Sequence, residues 1–382
     1  MSGNDDLPYY ATRSYFASSD YMGQASGLAI AGIGNEKIQW ERTRRVNVGV
    51  DANLLDNRLG VRFNYFRSAT DHLLMWQEMS FLSGLDKTWG NGGKLENRGF
   101  DVEATGVVWA SPSWQWQVGA SVGHYKNEVT ALPDGQQYMD TEILGATVRT
   151  EIGRPANLFY GYKTKGVFAT SAEAQAAGLY VRDANGVDQT AFEAGDVHFV
   201  DLDGDHFVTE ADRTVIGDPN PDIYGNIFTT VQYRRFRLDV RFNYSLGNDI
   251  YNYMRQQLES GSRFMNQTTA LARRWQVEGQ QTDIPRLSFQ DPMGNSRFSD
   301  RWIEDGSYLR LKTVTLSYDL PISSTFLQGL QFWVQANNVF TLSRYLGTDP
   351  EGAALSAVLG QGIDAGSVPQ SRNFMVGIKI SL

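Results

Sequence analysis

The feature that most constrains this chain is strict period-two alternation of apolar and polar residues, sustained in runs of about ten residues. Val46, Val48, Val50, Ala52 and Leu54 alternate with Asn47, Gly49, Asp51 and Asn53. Leu59, Val61, Phe63 and Tyr65 alternate with Gly60, Arg62 and Asn64. The pattern recurs from Phe100 to Gly106, Trp114 to Gly123, Phe236 to Gly247, Leu330 to Ala336 and Phe374 to Leu382. Successive side chains of a strand point to opposite faces, so each run predicts a strand with one apolar and one polar face. Such runs are long enough to cross a bilayer core when tilted, whereas soluble strands are nearer 5–6 residues. The polar face carries Asp51, Arg62, Asp101, Glu103, Arg237, Asp239 and Arg241, which suits a water-filled lumen. The other architecture with this pattern is a soluble antiparallel sandwich with one wet face per sheet.

The connections separate the two. The alternation delimits nine strands, at 42–54, 57–75, 97–110, 114–127, 224–233, 236–248, 307–320, 329–342 and 371–382, with a weaker tenth near 8–17. Asp56-Asn57, Ser111-Pro112-Ser113 and Arg234-Arg235 are tight turns, and 321–329 is moderate. Between them lie long connections at 77–96, 128–223, 249–306 and 343–370. Transmembrane barrels of outer membranes have short turns on the periplasmic side and long loops outside, and a sandwich has no reason for this asymmetry. The parity holds back to residue 42 provided that 128–223 makes no net crossing. Long loops would crowd a closed ten-strand barrel, so the expected fold is all-β: an arc of about ten antiparallel strands from a larger barrel.

Composition narrows the class. No stretch approaches the roughly 20 apolar residues of a membrane-spanning helix. There is no cysteine, hence no disulfide framework or thiolate metal site. The net charge of −9 gives no basic footprint for nucleic acid. The start, Met1 to Asp6, has neither a positive nor an apolar signal region, so the expectation is either a cytoplasmic chain or a true beginning upstream of Met1.

Few residues carry chemistry. Asp201, Asp203, Asp205 and Asp212 occupy positions 1, 3, 5 and 12 of an EF-hand-like loop, where alternate carboxylates converge on a calcium ion. The Phe207 carbonyl and Thr209 fall at positions 7 and 9, while His206 replaces the usual glycine at position 6. A polar loop of Asx turns is the other reading. The histidines, His72, His124, His198 and His206, lack zinc-ligand spacing, and there is no nucleophile elbow or phosphate loop; no enzyme is expected. Trp40, Trp76, Trp109, Trp114, Phe340 and Tyr345 lie near strand ends, where interfacial aromatic girdles belong. Trp302, Tyr308 and Tyr345, in loops or at their edges, are the candidates for contact with a substrate or a covering partner. Residues 171–177 predict a short helix with Ser171 as N-cap and Gly178 as its end; 249–276 reads as partly helical.

An ordered series of motifs resembles the SusC/RagA family of TonB-linked outer-membrane proteins. It begins with Asn35-Glu36-Lys37-Ile38-Gln39-Trp40-Glu41 and continues through Thr43, Asn47, Gly49 and Asp51. Tyr65-Phe66 to Asp71-His72-Leu73-Leu74, Asn97-Arg98-Gly99-Phe100-Asp101-Val102, and Tyr160-Gly161-Tyr162 with Gly166-Val167-Phe168 follow. Next come Gly195-Asp196 leading to Asp201–Asp205, Ile216-Gly217-Asp218-Pro219-Asn220-Pro221, and Tyr308-Leu309-Arg310-Leu311-Lys312 to Leu316–Pro321. Asn337–Thr341, Gly347, Asp349-Pro350-Glu351, Arg372 and Gly377 complete it. The resemblance implies a 22-stranded barrel in a Gram-negative outer membrane, a lumenal plug, energy from the TonB complex, a SusD-like surface lipoprotein as lid, and oligosaccharide or peptide as substrate. Residues 1–382 correspond to the C-terminal part of that barrel; the plug, TonB box and signal peptide precede the matched region in the family. The family usually ends on an aromatic where this chain has Leu382. The competing function is a soluble or surface-exposed glycan-binding or adhesive β-protein.

Overall fold

The computed structural model describes residues 11–21, 25–80, 82, 84–85, 87–182, 186, 189–322, 327–352 and 360–381. β1 (Tyr15–Tyr21) and β2 (Ala25–Gly32) form a hairpin of their own. Four long strands follow: β3 (Arg42–Leu54), β4 (Leu59–Glu78), β5 (Lys87–Ala110) and β6 (Trp114–Ala131). The next connection holds β7 (Tyr138–Ile143), β8 (Ala146–Glu151), β9 (Leu158–Tyr162), β10 (Thr164–Val167), α1 (Ser171–Ala177), β11 (Tyr180–Arg182), β12 (Gln189–Ala191), β13 (Val197–Phe199) and β14 (Arg213–Gly217). After β15 (Ile223–Tyr233) and β16 (Phe236–Leu246) come β17 (Asp249–Asn252), α2 (Tyr253–Glu259) and β18 (Ile303–Asp305). The chain closes with β19 (Tyr308–Leu320), β20 (Gly329–Ser343), β21 (Ile363–Asp364) and β22 (Asn373–Ser381).

Nine strands make one antiparallel sheet in the order β22-β20-β19-β16-β15-β6-β5-β4-β3. Each sheet strand lies beside its neighbour in sequence, and β6 pairs directly with β15, so the long segment between them makes no net crossing. The sheet is open, with β3 and β22 at its edges, which makes it an arc. The expected tenth strand is not part of it. Strand structure in that region begins at Tyr15 and pairs only within the β1–β2 hairpin, while residues 8–10 lie outside the described residues, as does Leu382.

The register lays the two kinds of residue on opposite faces. One row runs Leu54, Leu59, Gly106, Val118, Thr229, Val240, Val314, Ala336, Phe374 across all nine strands. Its one hydroxyl, Thr229 Oγ1, accepts from Trp116 Nε1 at 2.9 Å, so the apolar band carries little unmet polarity. A row on the other face reads Asp51, Arg62, Glu103, Ser121, Asn226, Asn243, Arg310, Thr341. The apolar face is open to its surroundings: Val48 is 61% exposed and Val376 78%. Aromatic rings edge this band at the short-turn end, where Trp114, Tyr233, Phe236, Tyr318 and Phe332 are successive cross-strand partners. The ten residue steps from Trp114 to His124 span about 33 Å of strand, or roughly 25 Å across a bilayer at a tilt of about 40°.

The tight turns all lie at one end of the arc. Leu55, Asp56 and Asn57 take positive φ between β3 and β4, and Arg234 does so between β15 and β16. At the other end the connections fold into a cap. One core cluster joins Ala146, Val148 and Phe159 to Tyr251, Phe298 and Trp302 and to Ile363, from three separate connections. A second gathers Phe168, Ala174, Leu179, Phe192, Val197 and Phe199 around α1. The N-cap of α1 is Thr170, not Ser171. Thr170 Oγ1 accepts from the Glu173 amide at 3.2 Å and Glu173 reaches back to the cap, a capping box. The helix ends as expected on Gly178, at φ 59°. In 249–276, α2 and a 3₁₀ turn at Thr269–Arg273 are the helical parts.

Candidate functional site

The concave polar face of the arc is the larger candidate surface. Arg62 on β4 donates from Nε to Asp51 on β3 at 2.9 Å and from Nη1 to Glu103 on β5 at 3.3 Å. Further round the wall, Ser121 Oγ accepts from Asn226 Nδ2 at 2.7 Å. Gly123 leaves room for the Tyr224 ring, which a Cβ would meet at 2.6 Å. Arg62, Glu103, Ser121, Tyr224 and Asn226, with Asn243, Ser245 and Tyr308, line a concavity of about 440 Å³. A second of about 290 Å³ lies lower on the wall, beside Arg237, Asp239 and Arg241. Arg237 and Thr230 both donate to the Asp239 carboxylate, at 2.8 and 2.7 Å. The surface offers hydroxyl, amide and paired charged groups, a chemistry that binds polar solutes weakly and at many points.

The cap is fastened to the arc and to itself by buried ions. Arg310, on the polar face of β19, is buried against Asp349 and also meets Glu351 at 2.6 Å. Burial opposes the Asp349 charge, but the Gln370 and Glu351 amides and Arg310 hold its carboxyl below the ordinary aspartate value. Asp196 is fully buried. It accepts two bonds from Arg286, each at 2.9 Å, and others from Asn295 Nδ2 and the Glu193 amide. That satisfied carboxylate joins the connection after β6 to the one after β17.

The sequence-predicted residues fall in different places. Trp302 is fully buried, with Nε1 donating to the Arg297 carbonyl at 3.0 Å; it is core of the cap and offers no ring face to a ligand. Tyr345 is also buried, its hydroxyl donating to Asp364 at 2.5 Å. It is therefore neither a girdle residue nor an exposed contact. Burial and the Asp364 carboxylate push that hydroxyl well above its ordinary range. Tyr308 does line the inner concavity. Trp40, Trp76, Trp109, Trp114 and Phe340 are exposed.

Of the acidic loop, Asp201, Asp203 and Asp205 bring carboxylate oxygens within 4.8 Å of one another. Asp212 does not join them. It is buried, and its oxygens accept from the Leu202 and Thr209 amides, each at 2.8 Å. His206 takes φ 66°, the left-handed turn that glycine usually supplies at this position. The Asp205 amide lowers the Asp203 pKa, but lost hydration and the carboxylates of Asp205, Asp212 and Asp201 outweigh it and hold Asp203 above its ordinary value. Burial works against the Asp201 charge, yet the amides of Gly204 and His206 keep it below its ordinary value. A divalent cation would relieve this repulsion.

Sequence reasoning missed one feature. Phe264 and Phe289 are 92% and 59% exposed, and their rings lie 4.8 Å apart. They border a cavity of about 700 Å³ shared with Gln256, Arg263, Asp291 and Arg297. The available signal was an aromatic standing alone in each of two polar, aperiodic stretches.

With this geometry in hand, comparisons with known proteins agree on one relationship. Residues 4–207 match the profile of the family described as TonB dependent receptor-like, beta-barrel. The TonB-dependent receptor P3 of Formosa agariphila is 29% identical over 395 residues, covering 99% of this chain and 38% of that protein. The TonB-dependent receptor SusC of Bacteroides thetaiotaomicron is 24% identical, covering 98% of this chain and 35% of that protein. Among solved structures, the RagAB peptide transporter superposes with a TM-score of 0.78 at 25% identity, over 99% of this chain and 40% of that one. The chain thus spans about two fifths of the length of these relatives.

Proposed function

Since this chain belongs to the TonB-dependent receptor-like β-barrel family, we propose that it forms the C-terminal part of the barrel of an outer-membrane importer. The observation that carries the reading is the opposition of the two faces across nine strands, apolar outside and ionic inside. An open sheet edge is not tolerated in a bilayer, so β3 and β22 are closed by further strands of a larger, 22-stranded barrel. The plug and the segment that engages the TonB complex come from chain outside residues 1–382. A SusD-like surface lipoprotein sits on the cap, and oligosaccharides or peptides pass along the polar inner wall. Tyr308 on that wall, and the Phe264–Phe289 pair on the cap, are the residues placed to meet substrate or lid. Calcium, held by Asp201, Asp203 and Asp205, stiffens the cap.

The test is fractionation and uptake in the native cell. The protein is expected in the outer-membrane fraction, soluble only in detergent, and its deletion is expected to abolish uptake of a labelled oligosaccharide or peptide pool. Recovery as a detergent-free soluble monomer would reject the importer in favour of a soluble glycan-binding protein.

A further inference from the structure

The apolar outer face of β3–β6 ends abruptly in a basic patch. On three adjacent strands the residue two steps beyond a ring is a cation: Arg67 follows Tyr65, Arg98 precedes Phe100, and Lys126 follows His124. The register is unbroken here, so all six side chains share the apolar face. Arg67 is the cross-strand partner of Arg98, and Arg98 of Lys126. Like charges placed directly opposite one another destabilise a sheet, and three in one row need a reason.

Carboxylates nearby offset the row only in part. Arg67 meets Glu96 at 2.8 Å and Arg98 meets Glu128 at 4.0 Å. In both pairs the cation is the more exposed partner, at 62% against 24% and 52% against 37%. Lys126 has no ion pair among the described residues, nor does Arg44, one row further along on β3. The outward charge is positive, and it stands where the apolar band gives way at the long-loop end.

Resting on the importer reading, which turns that end toward the outer leaflet, we propose that Arg67, Arg98 and Lys126 bind the phosphate groups of an anionic glycolipid headgroup. Arg presents a planar fork of donors that matches phosphate oxygens. The rings beneath place the headgroup at the interface while the apolar band receives the acyl chains. A bound phosphate would offset the like-charge opposition that Glu96 and Glu128 leave in the row.

The experiment uses the protein purified from its native outer membrane, titrated in nanodiscs with a phosphorylated glycolipid, the same glycolipid after dephosphorylation, and inorganic phosphate. The triple variant R67Q/R98Q/K126Q is expected to bind the phosphorylated lipid at least ten-fold more weakly. K126Q, which breaks no ion pair among the described residues, is expected to lose a few-fold. Dephosphorylated lipid is expected to bind the wild type as weakly as the triple variant does. Equal lipid affinity for wild type and triple variant overturns the proposal, as does inorganic phosphate competing as strongly as the lipid, or binding of an extracellular protein lost with the same substitutions. Absence of the protein from the outer membrane would instead remove the importer reading beneath it.

Discussion

The arc and the cap are built by opposite rules from one sequence. In the arc the large apolar side chains face outward, with Val46, Val48, Val50, Phe374, Val376, Ile378 and Ile380 all exposed. In the cap they face inward, and Trp302, Tyr251, Phe159 and Phe199 are fully buried. The hydrophobic effect drives apolar area from water, so an exposed band across nine strands marks a surface whose solvent is lipid, and a buried cluster marks one surrounded by water. Charges follow the same division. On the inner wall of the arc they pair in the open, as Arg62 does with Asp51 and Glu103, where exposure limits each pair to about 0–1 kcal/mol. In the cap the pair that ties two connections together has a buried carboxylate held at two points, Asp196 with Arg286, where removing one partner costs about 3–5 kcal/mol.

The largest expected effect breaks the cap and spares the arc. Trp302→Ala removes a fully buried ring packed in the cluster with Tyr251 and Phe298 and is expected to cost the cap about 3–5 kcal/mol. Hydrogen exchange would show protection lost between β17 and β18 and around β8–β9, with the nine strands still protected. If the sheet loosened equally, the two regions would be one cooperative unit and the comparison would fail.

A smaller effect sharpens the sidedness. Ile227→Lys, near the middle of β15 on the apolar face, is expected to cost about 2–4 kcal/mol of membrane folding stability. Gln117→Lys, on the inner face of β6, is expected to stay within about 0.5 kcal/mol. Urea titration of the barrel refolded in vesicles, followed by heat-modifiable gel mobility, compares them. Equal costs for the two lysines would contradict a lipid-facing and a lumen-facing side.

The same division sets what the sequence made legible. All nine arc strands were readable, because a period-two pattern is local and one face meets a uniform solvent. The exception is the outer part of β4 and β5, which pair as far as Glu78 and Lys87 where a loop was expected at 77–96. Gly90, Gly92 and Gly93 have no side chains with which to show alternation, and bulges at Asp71/Leu73 and Leu73/Leu74 shift the phase. The cap was barely readable. Trp302 and Tyr345 were expected at its surface, since nothing near them in sequence shows that Phe298 and Ile363, or Asp364, would close over them. Asp212 illustrates the same limit at the acidic loop, where its spacing suited a ligand but its oxygens are already taken by two amides.

That loop gives the smallest expected effect, one confined to the cap. Calcium at about ten times its dissociation constant would stabilise the folded cap by about 1.4 kcal/mol through binding linkage alone. The cap's melting transition is therefore expected to rise by a few degrees with calcium, while the arc's stays fixed. Asp201→Asn is expected to abolish the shift, because Asp201 anchors the turn through the Gly204 and His206 amides and supplies one of the three converging carboxylates. Asp203, held above its ordinary pKa, takes up a proton before Asp201 as pH falls. Calcium competes for that same carboxylate, so the calcium-dependent shift is full at neutral pH and fades on acidification before Asp201, held low, is protonated. A shift that persisted in Asp201→Asn, or one unchanged by acid, would place the calcium effect elsewhere in the cap and leave the loop as a set of hydrogen-bonded turns.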